Sequence, residues 1–297
     1  MKTESPPIER MNVRLASHYG MCFGVRDAIE ATESASQKGE SITILGQLVH
    51  NPVVDDKLRK LGVKRGNLSG QDTPSEGSVV ITAHGASDKQ RDKWRQTGLN
   101  VLDTTCPLVR KAHDSLGALV NAGYHPVVIG KAGHVEVEGL VGDFPDAFII
   151  GSNKDIKYLP PLDKIGIVSQ TTQPVDHVNQ LVEAIRVARP DSDVKFIDTV
   201  CAPTKNRQTA LRELCAECEM VVVVGGANSN NTGELVRTAK RLGANAVQVE
   251  RAADLDPDWF IGIKEVGVTA GTSTLDQTVR EVAARLREIA VSQAVRS

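Results

Sequence analysis

Short, nearly continuous apolar runs alternate along this chain with longer stretches in which apolar residues recur every three to four positions. The short runs predict strands at NVRLAS (12–17), SITILG (41–46), SVVITAHG (78–85), LNVLDT (99–104), HPVVIG (125–130) and AFIIG (147–151). Further ones are KIGIVSQ (164–170), VKFIDT (194–199), MVVVVGG (220–226), NAVQVE (245–250) and EVGVTAG (265–271). Strands that are apolar throughout are those of parallel sheets covered on both faces. Helical spacing predicts helices over 108–122, 174–188, 204–219, 232–242 and 273–291. In the first of these, Leu108, Val109, Ala112, Leu116, Leu119 and Val120 share one face. Such alternation defines an α/β class. The stretch 64–77, KRGNLSGQDTPSEG, reads as a surface connection rather than a domain boundary.

Composition narrows the picture. With 297 residues and a hydrophobic fraction of 40%, the chain is long enough for two or three globular domains. Only 3% of residues are aromatic, so the core must be built from Val, Ile, Leu and Ala. A formal net charge of −2 gives no broad nucleic-acid footprint. No apolar run approaches the roughly 20 residues of a membrane helix. The start, MKTESPPIER, lacks the apolar core of a secretory signal and reads as a short disordered lead over residues 1–11. Five cysteines in such a chain favour reduced thiols or metal ligands over disulfides, and the expected compartment is the cytoplasm.

Three of those cysteines each end a strand-like run: Cys22 in HYGMCFGV, Cys106 in LDTTCPLV and Cys201 in IDTVCAPT. They are separated by about the length of one small α/β unit each. One thiolate per unit would build a three-cysteine metal site, and this spacing favours three small sheets over one large one. A cluster of four irons on three thiolates would keep one iron for substrate.

Other polar clusters also sit at strand ends. They contain His50, His84, His134, the run Asn228-Ser229-Asn230-Asn231, and Gly271-Thr272-Ser273. Each follows a predicted strand and precedes a helix, where parallel α/β sheets bind ligands and helix N-termini favour anions. A lone Ser or Asn there is ordinarily an N-cap. Five clusters together point to a shared anion pocket. Neither a P-loop nor a convincing GxGxxG is present, so nucleotide binding is not supported.

Glu136, in HVEVEG, is a candidate proton donor beside His134, or a first-turn acid on a helix dipole. Glu138 suits the second role. Thr171, in SQTTQPVD, is either a helix cap, with Pro174 in the first turn, or a proton-relaying hydroxyl. Cys215 and Cys218 form CAEC near the end of a predicted helix, and read as small apolar packing groups rather than a redox pair.

Taken together, the motifs GMCFGVRDAIE, LVHNPVVD, TAHGAS, DTTCPLVRKAH, GHVEVEG, SQTTQPVD, CAPTKNRQTA, GGANSNNTGEL and GVTAGTSTLD resemble those of the IspH/LytB family, 4-hydroxy-3-methylbut-2-enyl diphosphate reductases. The likeness runs from about Asn12 to Leu286, in the family's order. It implies a trefoil of three small α/β domains with mostly parallel sheets around a central [4Fe–4S] cluster. The corresponding boundaries are 12–106, whose first strand packs either there or with the third domain, 107–197 and 198–297. It implies Cys22, Cys106 and Cys201 as cluster ligands, and His50, His84, His134, Ser229, Asn230, Asn231 and Ser273 as the diphosphate site. Glu136 would be the proton donor, supported by Thr171, which also touches substrate.

The implied reaction is a reductive dehydroxylation yielding isopentenyl and dimethylallyl diphosphate, with electrons from a ferredoxin- or flavodoxin-type donor. Val135 stands where the family usually has proline, Asn230 where it often has a second serine, and Thr272 where it often has alanine. These departures leave open a paralogue acting on another allylic diphosphate or alcohol. A non-catalytic iron–sulfur protein would need a fourth ligand, most simply Cys215 or Cys218.

Overall fold

The computed structural model describes residues 11–70 and 73–296, so the expected disordered lead lies outside the described residues except for Met11, which is buried in a hydrophobic core with Val266 and Val268. The chain begins with β1 (Asn12–Leu15), α1 (Phe23–Gln37), β2 (Ile42–Leu45), α2 (Pro52–Lys60), β3 (Lys64–Gly66), β4 (Ser78–Ile81), α3 (Asp88–Arg95) and β5 (Asn100–Asp103). It continues with α4 (Pro107–Asn121), β6 (His125–Ile129), α5 (Val135–Val141), β7 (Phe148–Ile150), β8 (Lys164–Ser169), α6 (Val175–Ala188) and β9 (Asp193–Phe196). Last come α7 (Ala202–Glu217), β10 (Met220–Val224), α8 (Asn230–Arg241), β11 (Asn245–Val249), β12 (Glu265–Ala270) and α9 (Asp276–Arg296).

The strands make three four-stranded sheets, ordered β3-β2-β4-β5, β7-β6-β8-β9 and β1-β12-β10-β11, and every pairing is parallel. The first strand of the chain thus belongs with the last ones, Leu15 standing opposite Val268. Central strands are buried on both faces: Val221, Val222, Val223 and Val224 have no exposed surface, nor do Val127, Val128 and Ile129. Each such side chain contributes about 1.5–3 kcal/mol through removal from water.

All three sheets share one topology. In each, a central strand connects outward to one edge and then inward to its other neighbour: β2 to β3 and β4, β6 to β7 and β8, β10 to β11 and β12. The reversal leaves a crevice at the C-terminal ends of the two central strands, where open α/β sheets bind ligands. The remaining edge strand is β5, β9 or β1, and the chain leaving each runs to Cys106, Cys201 or Cys22.

Two expectations need correcting. Residues 64–66 are not a surface connection: they form β3, with Thr43, Ile44 and Leu45 of β2 opposite Lys64, Arg65 and Gly66. Two charged side chains make this a protected edge. Pro174 is the N-cap of α6 rather than part of its first turn, so Thr171 lies ahead of the helix and does not cap it.

By compactness the chain divides into two units. One combines the segment ending at Cys22 with the segment from Asn206 onward, and holds the sheet of β1 and β10–β12. The other is Phe23–Lys205 and holds the other two sheets. No helix among the described residues is long and apolar enough to cross a membrane.

Candidate active site

Within the Phe23–Lys205 unit, the loops after β2, β4 and β6 bring three histidines together. The ring centroids of His50 and His84 lie 4.7 Å apart, those of His50 and His134 5.8 Å, and those of His84 and His134 5.5 Å. One ring nitrogen from each lies within 4.8 Å of the others. Such a trio could hold a metal ion or an anion, and the hydrogen bonds decide between them.

His134 is the N-cap of α5, and its Nδ1 accepts the Glu136 backbone N–H at 3.1 Å. The neutral ring must therefore carry its proton on Nε2, which cannot ligate a metal but can donate to an oxygen. Burial first, then the His50 and Lys131 charges, pushes the His134 pKa down from 6.5 to about 4. His50 is lowered for the same leading reason, and His84 is held well below its ordinary value by burial and its two neighbours. Burial thus favours the uncharged form of all three rings.

His84 Nε2 is fully buried and has no hydrogen-bond partner among the described residues. Leaving it so costs about 1–3 kcal/mol, which a ligand oxygen would recover. Lys131 and Arg65 lie close enough to disfavour charge on His50, and so add a positive field at the pocket. The set suits a multiply charged anion.

The second sheet contributes a carboxyl group. Glu136, in the first turn of α5, is 2% exposed, and its Oε1 accepts the Thr171 N–H at 2.6 Å across the β6–β8 crevice. The Thr171 hydroxyl bonds to the same carboxyl group. Burial outweighs both bonds and raises the Glu136 pKa from 4.5 to about 7. A buried acid that is half protonated near neutrality is poised to give up a proton. Gln170, with no exposed surface, supports the crevice: its Oε1 accepts from the Lys131 N–H at 3.1 Å and from Gln173 Nε2 at 2.8 Å. Gly130 has no side chain because a Cβ there would lie 2.7 Å from Val137 Cγ2.

In the other unit, Ser229 caps α8, accepting from the Thr232 N–H at 3.3 Å. Asn230 opens that helix, and Asn231 Nδ2 donates to Thr272 Oγ1 at 3.4 Å. Ser273 is buried in the turn after β12. These residues flank the β10–β12 crevice of their own sheet.

Each of the three dispersed cysteines is the residue immediately before a helix: Cys22 before α1, Cys106 before α4 and Cys201 before α7. None is in a disulfide. Backbone bonds fix each one: Cys22 N–H to Thr272 O at 3.0 Å, Cys106 N–H to Ala83 O at 3.1 Å and Cys201 N–H to Thr171 O at 3.0 Å. A Cβ on Gly24 would collide with Cys106 Sγ, so that glycine keeps space beside the thiol. Cys218, by contrast, is buried with Ala16, Ala210 and Leu214, and burial first, with Glu265 nearby, pushes its thiol up to about 11. Burial also raises Cys215, which packs on the core containing Leu211 and Val221. Neither thiol is prepared to be a fourth metal ligand.

Three residues at the site carried no sequence signal. Lys131 and Gln170 sit in loops without periodicity, and Gln47 is a polar residue three positions before His50.

Fold and site together define an α/β protein of parallel sheets with a cluster of three histidines, suited to an anion, at the strand ends of one unit. The chain belongs to the LytB protein family, whose profile matches residues 13–287. A Geotalea daltonii protein named 4-hydroxy-3-methylbut-2-enyl diphosphate reductase is 36% identical over 282 residues, covering 94% of this chain and 98% of its own. An Aquifex aeolicus protein of the same name is 34% identical, covering 97% of this chain and all of its own. Among solved structures, the E-1-hydroxy-2-methyl-but-2-enyl-4-diphosphate reductase from Plasmodium falciparum aligns with a TM-score of 0.87 at 29% identity, over 93% of this chain and 87% of that one. A second, of (E)-4-hydroxy-3-methyl-but-2-enyl diphosphate reductase, the terminal enzyme of the non-mevalonate pathway, aligns with a TM-score of 0.68 at 33% identity, over 94% of this chain and all of its own.

Proposed function

We propose that this protein is a cytoplasmic oxidoreductase that removes the hydroxyl group of 4-hydroxy-3-methylbut-2-enyl diphosphate with two electrons and two protons. The products are water and either isopentenyl or dimethylallyl diphosphate. What carries the reading is the histidine trio beside a buried, protonatable carboxyl group, in a chain whose named relatives are reductases of that diphosphate.

Cys22, Cys106 and Cys201 are the proposed ligands of a [4Fe–4S] cluster. Three thiols outside any disulfide, each just before a helix N-terminus, with Gly24 leaving room at Cys106, fit such a group. When bound, the cluster supplies electrons and, having more irons than protein thiolates, a Lewis-acidic iron for C–O cleavage. A ferredoxin- or flavodoxin-type protein is the proposed electron source. Three domains, divided near residues 106 and 197, are proposed on the three sheets.

The chain's own residues then do the following. His134 donates to the diphosphate as a neutral ring, and His84 Nε2 gains the partner it lacks. Ser229, Asn230, Asn231 and Ser273 of the other unit are proposed as further diphosphate contacts. Glu136 protonates the departing hydroxyl group, so that it leaves as water, with Thr171 fixing the carboxyl orientation and contacting substrate. Burial of both residues keeps bulk water from competing for that proton.

The reading is tested by comparing the diphosphate with its dephosphorylated allylic alcohol under anaerobic, reducing conditions. The diphosphate should saturate the enzyme, and the alcohol should lose at least about a hundredfold in kcat/KM. Equal use of both would remove the histidines from substrate binding and favour a paralogue acting on alcohols.

A further inference from the structure

His50 is held from behind by a two-residue chain. Its Nδ1 lies 2.9 Å from Gln47 Oε1, and Gln47 Nε2 lies 2.8 Å from Asp55 Oδ2. A carboxylate oxygen only accepts, so the amide nitrogen must face Asp55 and the amide oxygen must face His50. That oxygen also only accepts, so His50 Nδ1 carries a proton. The neutral His50 ring therefore carries no proton on Nε2, the opposite tautomer from His134, whose Nδ1 accepts the Glu136 N–H. Toward a diphosphate oxygen, His134 donates as it stands. His50 donates from Nε2 only after taking up a proton there.

We infer that Gln47 and Asp55 are positioning residues of the anion pocket: they fix the His50 tautomer and make His50 the histidine that takes up a proton when the anion binds. The inference rests on the diphosphate reading above. Asp55, in the first turn of α2, favours the His50 cation. Arg65 on β3, Lys131 after β6 and burial oppose it, and the rings of His84 and His134 face it. Within the protein the balance is against the cation, and it reverses when a multiply charged anion arrives. The relay spans β2 to α2, so the loop after β2 and the first turn of the next helix act together on one ring nitrogen.

The test is calorimetric titration of the anaerobic holoprotein with inorganic pyrophosphate, in two buffers of different ionisation enthalpy at about pH 6 and about pH 8. The wild type should take up about one proton per pyrophosphate at the higher pH, and its affinity should fall as pH rises. In Gln47→Leu the ring is free to place its single proton on Nε2. Uptake should then fall by about half or more, and the affinity should depend less on pH. Asp55→Asn, nearly isosteric and able to donate to Gln47, should shift both readouts the same way and serves if Gln47→Leu fails to fold. Unchanged proton uptake in both folded variants would overturn the inference and leave the diphosphate reading intact. Wild-type binding without proton uptake would do the same, whereas no pyrophosphate binding at all would bring down both.

Discussion

Glu136 carries the sharpest consequence at the scale of single residues. Its carboxyl group is raised from 4.5 to about 7, so the acid form is present below that value and lost above it. Turnover limited by this proton should therefore decline as pH rises through about 7, which a pH profile of kcat will read. The same shift acts on stability. Because the folded-state pKa lies above the unfolded one, the favourable contribution is complete below about 4.5 and is lost as pH rises to about 7. Glu136→Gln should thus be more stable than the wild type at about pH 8, by up to roughly 3 kcal/mol in chemical denaturation. It should also lose about two to four orders of magnitude in kcat while still binding pyrophosphate. The three histidines drew notice in the sequence because each follows an apolar strand run, and the structure brings them together. Gln47 did not, because its role depends on the turn that folds it back onto His50 and on Asp55 meeting it from α2.

At the scale of elements, strands were easier to read than helices. Eleven predicted strands correspond to β1, β2 and β4–β12, since apolar runs buried on both faces leave a strong signal. β3 escaped because KRG is short, charged and held by pairing with β2 rather than by burial. α1 was not predicted because it buries Gly24, Ala28, Ile29 and Thr32, a face of mostly small residues. α3 buries only Arg91 and Trp94 in an otherwise polar run. There Arg91, 2% exposed, binds Asp103 and Thr105, so a charged residue does the work usually left to apolar ones. The small face of α1 has its own consequence. Gly24→Ala would press a methyl group onto Cys106 Sγ. It should destabilise the protein by about 1–3 kcal/mol in denaturant titrations and lower the iron retained after anaerobic purification. Ala28→Gly, on the same helix, should leave iron content unchanged.

At the scale of the whole molecule, three sheets repeat one strand order, and the repeat assigns a role to each position. The segments that follow the two central strands carry His50 and His84, or Glu136 and Thr171, or Ser229 and Ser273. The chain after the fourth strand carries a cysteine each time. The division into three small sheets was legible from the cysteine spacing. Their common topology was not, because β1 begins the chain yet pairs with β12 near its end, and no local pattern encodes a pairing of that separation. On this account Cys22→Ala, Cys106→Ala and Cys201→Ala should each abolish retention of a complete cluster, measured as iron and sulfide per chain. Cys215→Ala and Cys218→Ala should retain it, since both thiols pack in the core.

The central claim is that the anion pocket and the three cysteines serve one reduction. Its most direct measurement is an anaerobic assay of the iron-replete protein with 4-hydroxy-3-methylbut-2-enyl diphosphate and a reduced one-electron donor, with the products identified. The predicted result is loss of the allylic hydroxyl group with formation of isopentenyl and dimethylallyl diphosphate. An intact cluster with no conversion of this diphosphate would contradict it.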